Sequence, residues 1–91
     1  MYAKGRKKGT VRFSLNVPAG ARRVEVAGEF NDWSPKRMRK SKDGAYVSTV
    51  EISRPGSYQY KYLVDSQWMT DPDNGTSVLG PLGINSVAEV E

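Results

Sequence analysis

From Thr10 to Val17 the chain alternates, with Val11, Phe13, Leu15 and Val17 on one side and Arg12, Ser14 and Asn16 on the other. This is the period-two pattern of a half-buried strand. Pro18, Ala19 and Gly20 then turn the chain. Arg23 to Ala27 alternates again through Val24 and Val26, and a longer loop from Gly28 to Pro35 carries Phe30 and Trp33. Lys36 to Lys42 predicts a short edge strand around Met38, whose charges discourage strand addition by another molecule. Asp43-Gly44 is a hairpin signal because both residues tolerate positive φ. Tyr46 to Ile52 follows with Tyr46, Ser48, Val50 and Ile52 on one face, and Arg54-Pro55-Gly56 ends it. Tyr58 to Val64 then sets Tyr58, Tyr60, Tyr62 and Val64 on one face and Gln59, Lys61 and Leu63 on the other. Asp65-Ser66 turns into a short strand, Gln67 to Thr70; Asp71 to Gly75 opens a long loop, and a last strand is expected near Ser86 to Val90.

About seven short strands separated by Gly, Pro and Asp turns, with no helical stripe of useful length, predict an all-β fold, an antiparallel β-sandwich of immunoglobulin-like type. Ninety-one residues bury about two-thirds of their unfolded surface, enough for one core. A single domain over residues 10–91 is expected, preceded by a basic, flexible segment at residues 1–9.

Composition removes most familiar chemistry. With no Cys and no His, there is no disulfide framework, thiolate nucleophile, Cys-based zinc site or imidazole base. No cofactor is expected. Met1 to Ala3 run straight into the cations Lys4 to Lys8, with no apolar stretch for a signal peptide or membrane span, so a cytoplasmic address is expected. All fourteen Lys and Arg lie at or before Lys61, against five acids there, while residues 62–91 carry five acids and no cation. The basic clusters, Lys4 to Arg12 and Lys36 to Lys42, could grip phosphates, but no nucleic-acid-binding motif accompanies them. A solvated terminus and loop is the favoured reading, with no nucleic acid or membrane partner.

The tyrosines at period two read as core. Trp33 differs, because it lies in a loop, and loops run across the surface. Trp68 is placed by hairpin arithmetic: if the turn is centred on Asp65-Ser66 with two or four residues, Leu63 faces Trp68 and shares its face with Lys61. A three-residue loop would instead drive Trp68 inward. A flat indole beside an ammonium donor suits a ligand with apolar faces and hydroxyl edges, as a pyranose has. Nucleobases stack on Trp too, so stacking alone does not choose between polysaccharide and single-stranded nucleic acid.

GEFNDW (Gly28 to Trp33), the segment Asp43 to Pro72 and the closing INSVAEV (Ile84 to Val90) resemble carbohydrate-binding module family 48. That family includes the glycogen-binding domain of the AMP-activated protein kinase β subunit and the N-terminal domains of isoamylases and branching enzymes. The resemblance covers about residues 10–91. It implies a non-catalytic β-sandwich that binds α-1,4-linked glucan such as glycogen, starch or maltodextrin, serving a glucan-metabolising enzyme or kinase subunit. It also implies roles: Trp33 and Trp68 stack on glucose units, Lys61 and Asn85 hydrogen-bond to them, and a leucine pushes against the chain, Leu82 with Leu79 as competitor. Ser66 stands where the family usually has Gly, and a non-Gly residue at positive φ costs about 1 kcal/mol, which favours another turn type there. The alternative function is an interaction or scaffold domain that has lost sugar binding. Asp71 and Asp73 could form a carboxylate pair for glycoside hydrolysis or, with Asn74, a calcium site, but Asp-Pro-Asp-Asn-Gly is first a turn-forming string.

Overall fold

A computed structural model describes residues 1–17, 20–81 and 83–91. Two antiparallel sheets form a sandwich around one apolar cluster. The smaller sheet runs β1 (Tyr2–Lys4), β2 (Thr10–Leu15), β6 (Tyr46–Glu51), β5 (Arg39–Lys40). The larger runs β4 (Lys36–Arg37), β3 (Val24–Gly28), β7 (Gly56–Val64), β10 (Gly83–Val90), β9 (Ser77–Gly80), with β8 (Gln67–Met69) also paired to β7.

The alternation sorts inside from outside. Val11, Phe13 and Leu15 of β2 enter the core opposite Tyr60 and Tyr62 of β7, and all five are buried. Register carries the pattern across the smaller sheet, where Val11 pairs Val50, Phe13 pairs Ser48 and Leu15 pairs Tyr46. Phe13 lies 4.9 Å from the Tyr60 ring.

The ten strands among the described residues exceed the seven expected in three places. The basic start, read as flexible, enters the smaller sheet: Tyr2 pairs Phe13, and its ring meets Tyr60 edge-on at 6.2 Å. One aromatic among cations gave no periodicity to read. The Lys36 to Lys42 strand divides between the two sheets, because Met38 alone among those cations must be buried; its N–H donates to Val24 O at 2.8 Å. The third, β9, lies inside the expected long loop. Its Val78 and Leu79 are exposed, so backbone pairing to β10 made it a strand without any burial pattern. Of the expected turn Pro18-Ala19-Gly20, the first two residues lie outside those described.

The β7–β8 turn corrects the expectation of another type. Val64 pairs Gln67, leaving a two-residue loop, and Asp65 and Ser66 have φ of 47° and 70°. Both are left-handed, as in a type I′ hairpin. Asp65 is held there twice over: its carboxylate accepts the N–H groups of Arg22 and Arg23 at 3.0 and 2.9 Å, and its own N–H donates to Arg23 O at 2.8 Å.

Candidate functional site

The two-residue turn decides where Trp68 goes. Leu63 pairs Trp68 and Ala27 pairs Lys61, so Lys61, Leu63 and Trp68 share the outward face of β7 and β8. Trp68 is 49% exposed.

Trp33 reaches the same place by a different local route. Gly28 is fixed by close approach, since a Cβ there would lie 2.6 Å from Gln59 O and 2.6 Å from the Phe30 ring. The next residues form a single 3-10 turn, Glu29–Asn31. Asn31 accepts the Gly28 N–H on its side-chain oxygen at 3.0 Å, and Phe30 anchors the turn by stacking on Phe13 at 5.1 Å. Asp32 and Trp33 then adopt φ of 55° and 59°, a conformation rare for a bulky residue and costing about 1–2 kcal/mol each. The Trp33 N–H donates to Gly28 O at 2.9 Å, closing the loop. Trp33 is 36% exposed, and backbone strain of this kind concentrates at functional sites.

The two rings meet edge to face, with centroids 6.5 Å apart and planes at 75°. Together with Lys61, Asn85, Gln59, Glu29 and Pro81 they line a groove of about 430 Å³. Its polar groups are held in place. The Asn85 amide donates to Gln59 Oε1 at 2.9 Å, and the Glu29 carboxylate accepts the Gln59 N–H at 2.7 Å. Gly80 makes room beside them, since a Cβ there would lie 2.8 Å from Asn85 Nδ2. The floor therefore mixes cationic and amide donors with carbonyl and carboxylate acceptors under two apolar faces. This is the complement of a ring carrying hydroxyls on its edge.

Four of the expected site residues come together here: Trp33, Lys61, Trp68 and Asn85. Leu82 lies outside the described residues. Leu79 pairs Ile84 while Asn85 pairs Val78, so Leu79 sits on the opposite side of that hairpin from Asn85. Glu29 and Gln59 were not singled out from the sequence, although the alternation that sent Lys61 outward sent Gln59 with it. The Asp71-Pro72-Asp73-Asn74 string forms the turn expected of it, with the Asn74 N–H donating to Asp71 O at 3.3 Å. Asp71 is buried; it accepts the Tyr60 hydroxyl on Oδ2 at 2.7 Å and the Asp73 N–H on Oδ1 at 3.0 Å. Its N–H donates to Ser86 Oγ at 2.8 Å, and Asn74 donates to the Tyr60 hydroxyl at 3.0 Å. Both carboxylate oxygens are thus engaged within the fold. Burial pushes the Tyr60 and Tyr62 hydroxyls up from the ordinary tyrosine value, and the Asp71 charge beside them adds to the rise. Among the described residues no helix is long and apolar enough to cross a membrane.

The sequence pattern of the glycogen recognition site of AMP-activated protein kinase matches residues 11–91. Over 74 residues the chain is 35% identical to 5'-AMP-activated protein kinase subunit beta-1 of Sus scrofa, spanning 79% of this chain and 57% of that protein. It is 38% identical over 60 residues to protein PTST homolog 2, chloroplastic, of Arabidopsis thaliana, spanning 65% of this chain and 11% of that protein. Each of these relatives extends well beyond the part it shares with this chain. The fold is similar to part of the maltogenic amylase from S. marinus, with a TM-score of 0.76 and 24% identity over 100% of this chain and 15% of the amylase.

Proposed function

The chain belongs to the family of the glycogen recognition site of AMP-activated protein kinase, and from that premise we propose that it binds α-1,4-linked glucan without catalysis. The supporting observation is the corner formed by Trp33 and Trp68 above Lys61 and Asn85. A flat, extended β-1,4 chain fits coplanar rings. Rings set at 75° suit a chain that curves, as α-1,4 linkage makes it do, so that successive glucose faces lie on different indoles. Lys61 donates to ring hydroxyls, Asn85 pairs with them, and Glu29 accepts from them.

Stacking at about 1–3 kcal/mol per ring, plus a few solvated hydrogen bonds, gives about 4–7 kcal/mol, a dissociation constant between roughly a millimolar and ten micromolar. Such a module tethers reversibly and gains from the many chain ends of glycogen or starch. Its work then belongs to a partner, a glucan-metabolising enzyme or kinase subunit, which it brings to the polymer. We place it in the cytoplasm; a relative named as chloroplastic is consistent with the compartment following the partner.

The test is titration of tryptophan fluorescence with maltoheptaose, with cellohexaose as the extended-chain control. Saturable quenching by maltoheptaose alone is expected. No response at millimolar ligand, or equal response to cellohexaose, overturns the assignment.

A further inference from the structure

The groove uses one face of the larger sheet, yet most of the positive charge lies elsewhere. Lys36, Arg37, Arg39 and Lys40 form β4 and β5, the edge strands of the two sheets, joined through buried Met38. Met38 pins this seam, and Lys36 Nζ donates to Thr49 O at 2.7 Å across it. The cations therefore ride on ordered backbone rather than on a solvated loop.

Register splits them: Arg37 pairs Glu25 and so lies on the outer side of the larger sheet with Leu63, while Lys36 and Lys40 pair Val26 and Tyr46 and reach solvent at the sheet edges. Arg39 pairs Val47, Ser14 pairs Val47 and Arg12 pairs Thr49, so Arg12 and Arg39 share the outer face of the smaller sheet, away from the tryptophans. Lys42 lies just beyond, in the loop at residues 41–45. All six cations are exposed. Among the described residues, ion pairs join only Met1 to Asp71 and Arg23 to Glu25. Three acids lie nearby against the six cations: Glu25, opposite Arg37 and paired to Arg23; Asp43, whose carboxyl is held below the usual value by Ser41, the Ala45 N–H and the Arg12 charge; and Glu51, opposite Thr10.

We propose that this cationic seam and the adjoining face of the smaller sheet dock an acidic segment of a partner protein while the groove remains free for its own ligand. Three observations select that occupant. β4 and β5 are two residues each and densely charged, so they do not template strand addition and recognition runs through side chains. The outward neighbours of Arg12 and Arg39 are Ser14, Val47 and Thr49, which offer no aromatic platform for nucleobases. Cations in excess of the nearby acids complement carboxylates directly, and arginines match them with two parallel donors.

The test is fluorescence anisotropy of a labelled polyglutamate peptide against the intact protein, with and without saturating maltoheptaose. Binding is expected to weaken at least about tenfold as salt rises from about 0.05 M to about 0.5 M. The triple variant Arg12→Glu, Arg39→Glu, Lys40→Glu should lose at least about tenfold with its maltoheptaose quenching and melting temperature retained. The neutral triple variant to Gln should fall between it and wild type. Equal peptide binding by the charge-reversed variant overturns the proposal. So does tighter binding of a single-stranded oligonucleotide than of the peptide, or displacement of the peptide by maltoheptaose. Absence of maltoheptaose quenching alone would count against the glucan reading and leave the peptide result to stand by itself.

Discussion

The two faces of β7 carry aromatic chemistry of opposite kinds within nine residues. Inward, Tyr60 and Tyr62 are wholly buried, and their hydroxyls surround the equally buried Asp71. Outward, Lys61 stands beside Trp68, brought there by β8, and Trp33, brought by the loop after β3. Burial rewards the first face and leaves the second unexplained by stability. Two left-handed non-glycine pairs, Asp32-Trp33 and Asp65-Ser66, lie in the turns that carry the outer rings. Exposed aromatic residues on a strained backbone are what the proposed glucan binding accounts for.

The sharpest way to break this contrast is to swap the expected consequences. Tyr60→Ala should cost about 3–5 kcal/mol by cavity formation, read as a loss in the urea midpoint; Tyr60→Phe should cost about 1–3 kcal/mol by leaving Asp71 and Asn74 without their shared partner. A Tyr60 variant of wild-type stability would mean the inner face is not structural.

Alkali probes the same face without mutation. The ordinary tyrosine value is 10.0, and both buried hydroxyls are held above it. The unfolded chain therefore releases these protons at lower pH than the folded one. Stability from this source is complete below pH 10 and declines as pH climbs past it, which denaturant titrations on either side of that value will show.

On the outer face the effects should reverse. Trp68→Ala should weaken maltoheptaose binding by about 1–3 kcal/mol while stability changes by no more than about 1 kcal/mol, the scale of its cross-strand pair with Leu63. Calorimetric titration and thermal melting separate the two. A Trp68 variant that melts far lower yet still binds would erase the contrast. The smallest change is Ser66→Gly, which should stabilise by about 0.5 kcal/mol, because relief of left-handed strain outweighs the added freedom of the unfolded chain; its measure is the urea midpoint.

What could be read in advance follows the same division. The tyrosine face was legible because burial on a strand writes a period of two. Lys61, Leu63 and Trp68 were placed together by counting across a turn, although Ser66 argued for a different turn geometry. That argument weighed local strain alone, whereas Asp65 is tied to Arg22 and Arg23, far away in sequence. β1, β9 and the division at Met38 were missed because none carries an alternating stretch of its own.

The amino-acid sequence by itself determined the class of fold, the content of the core and the residue types left on the outer face, since periodicity and turn chemistry are local properties of the chain. Only the tertiary structure decided that two indoles thirty-five positions apart, Trp33 and Trp68, meet at 6.5 Å. It also decided that Asp71, a turn former by its neighbours, is the buried acceptor of the core tyrosines. Both outcomes depend on which strands lie side by side, and pairing between distant segments leaves no period in the sequence to read.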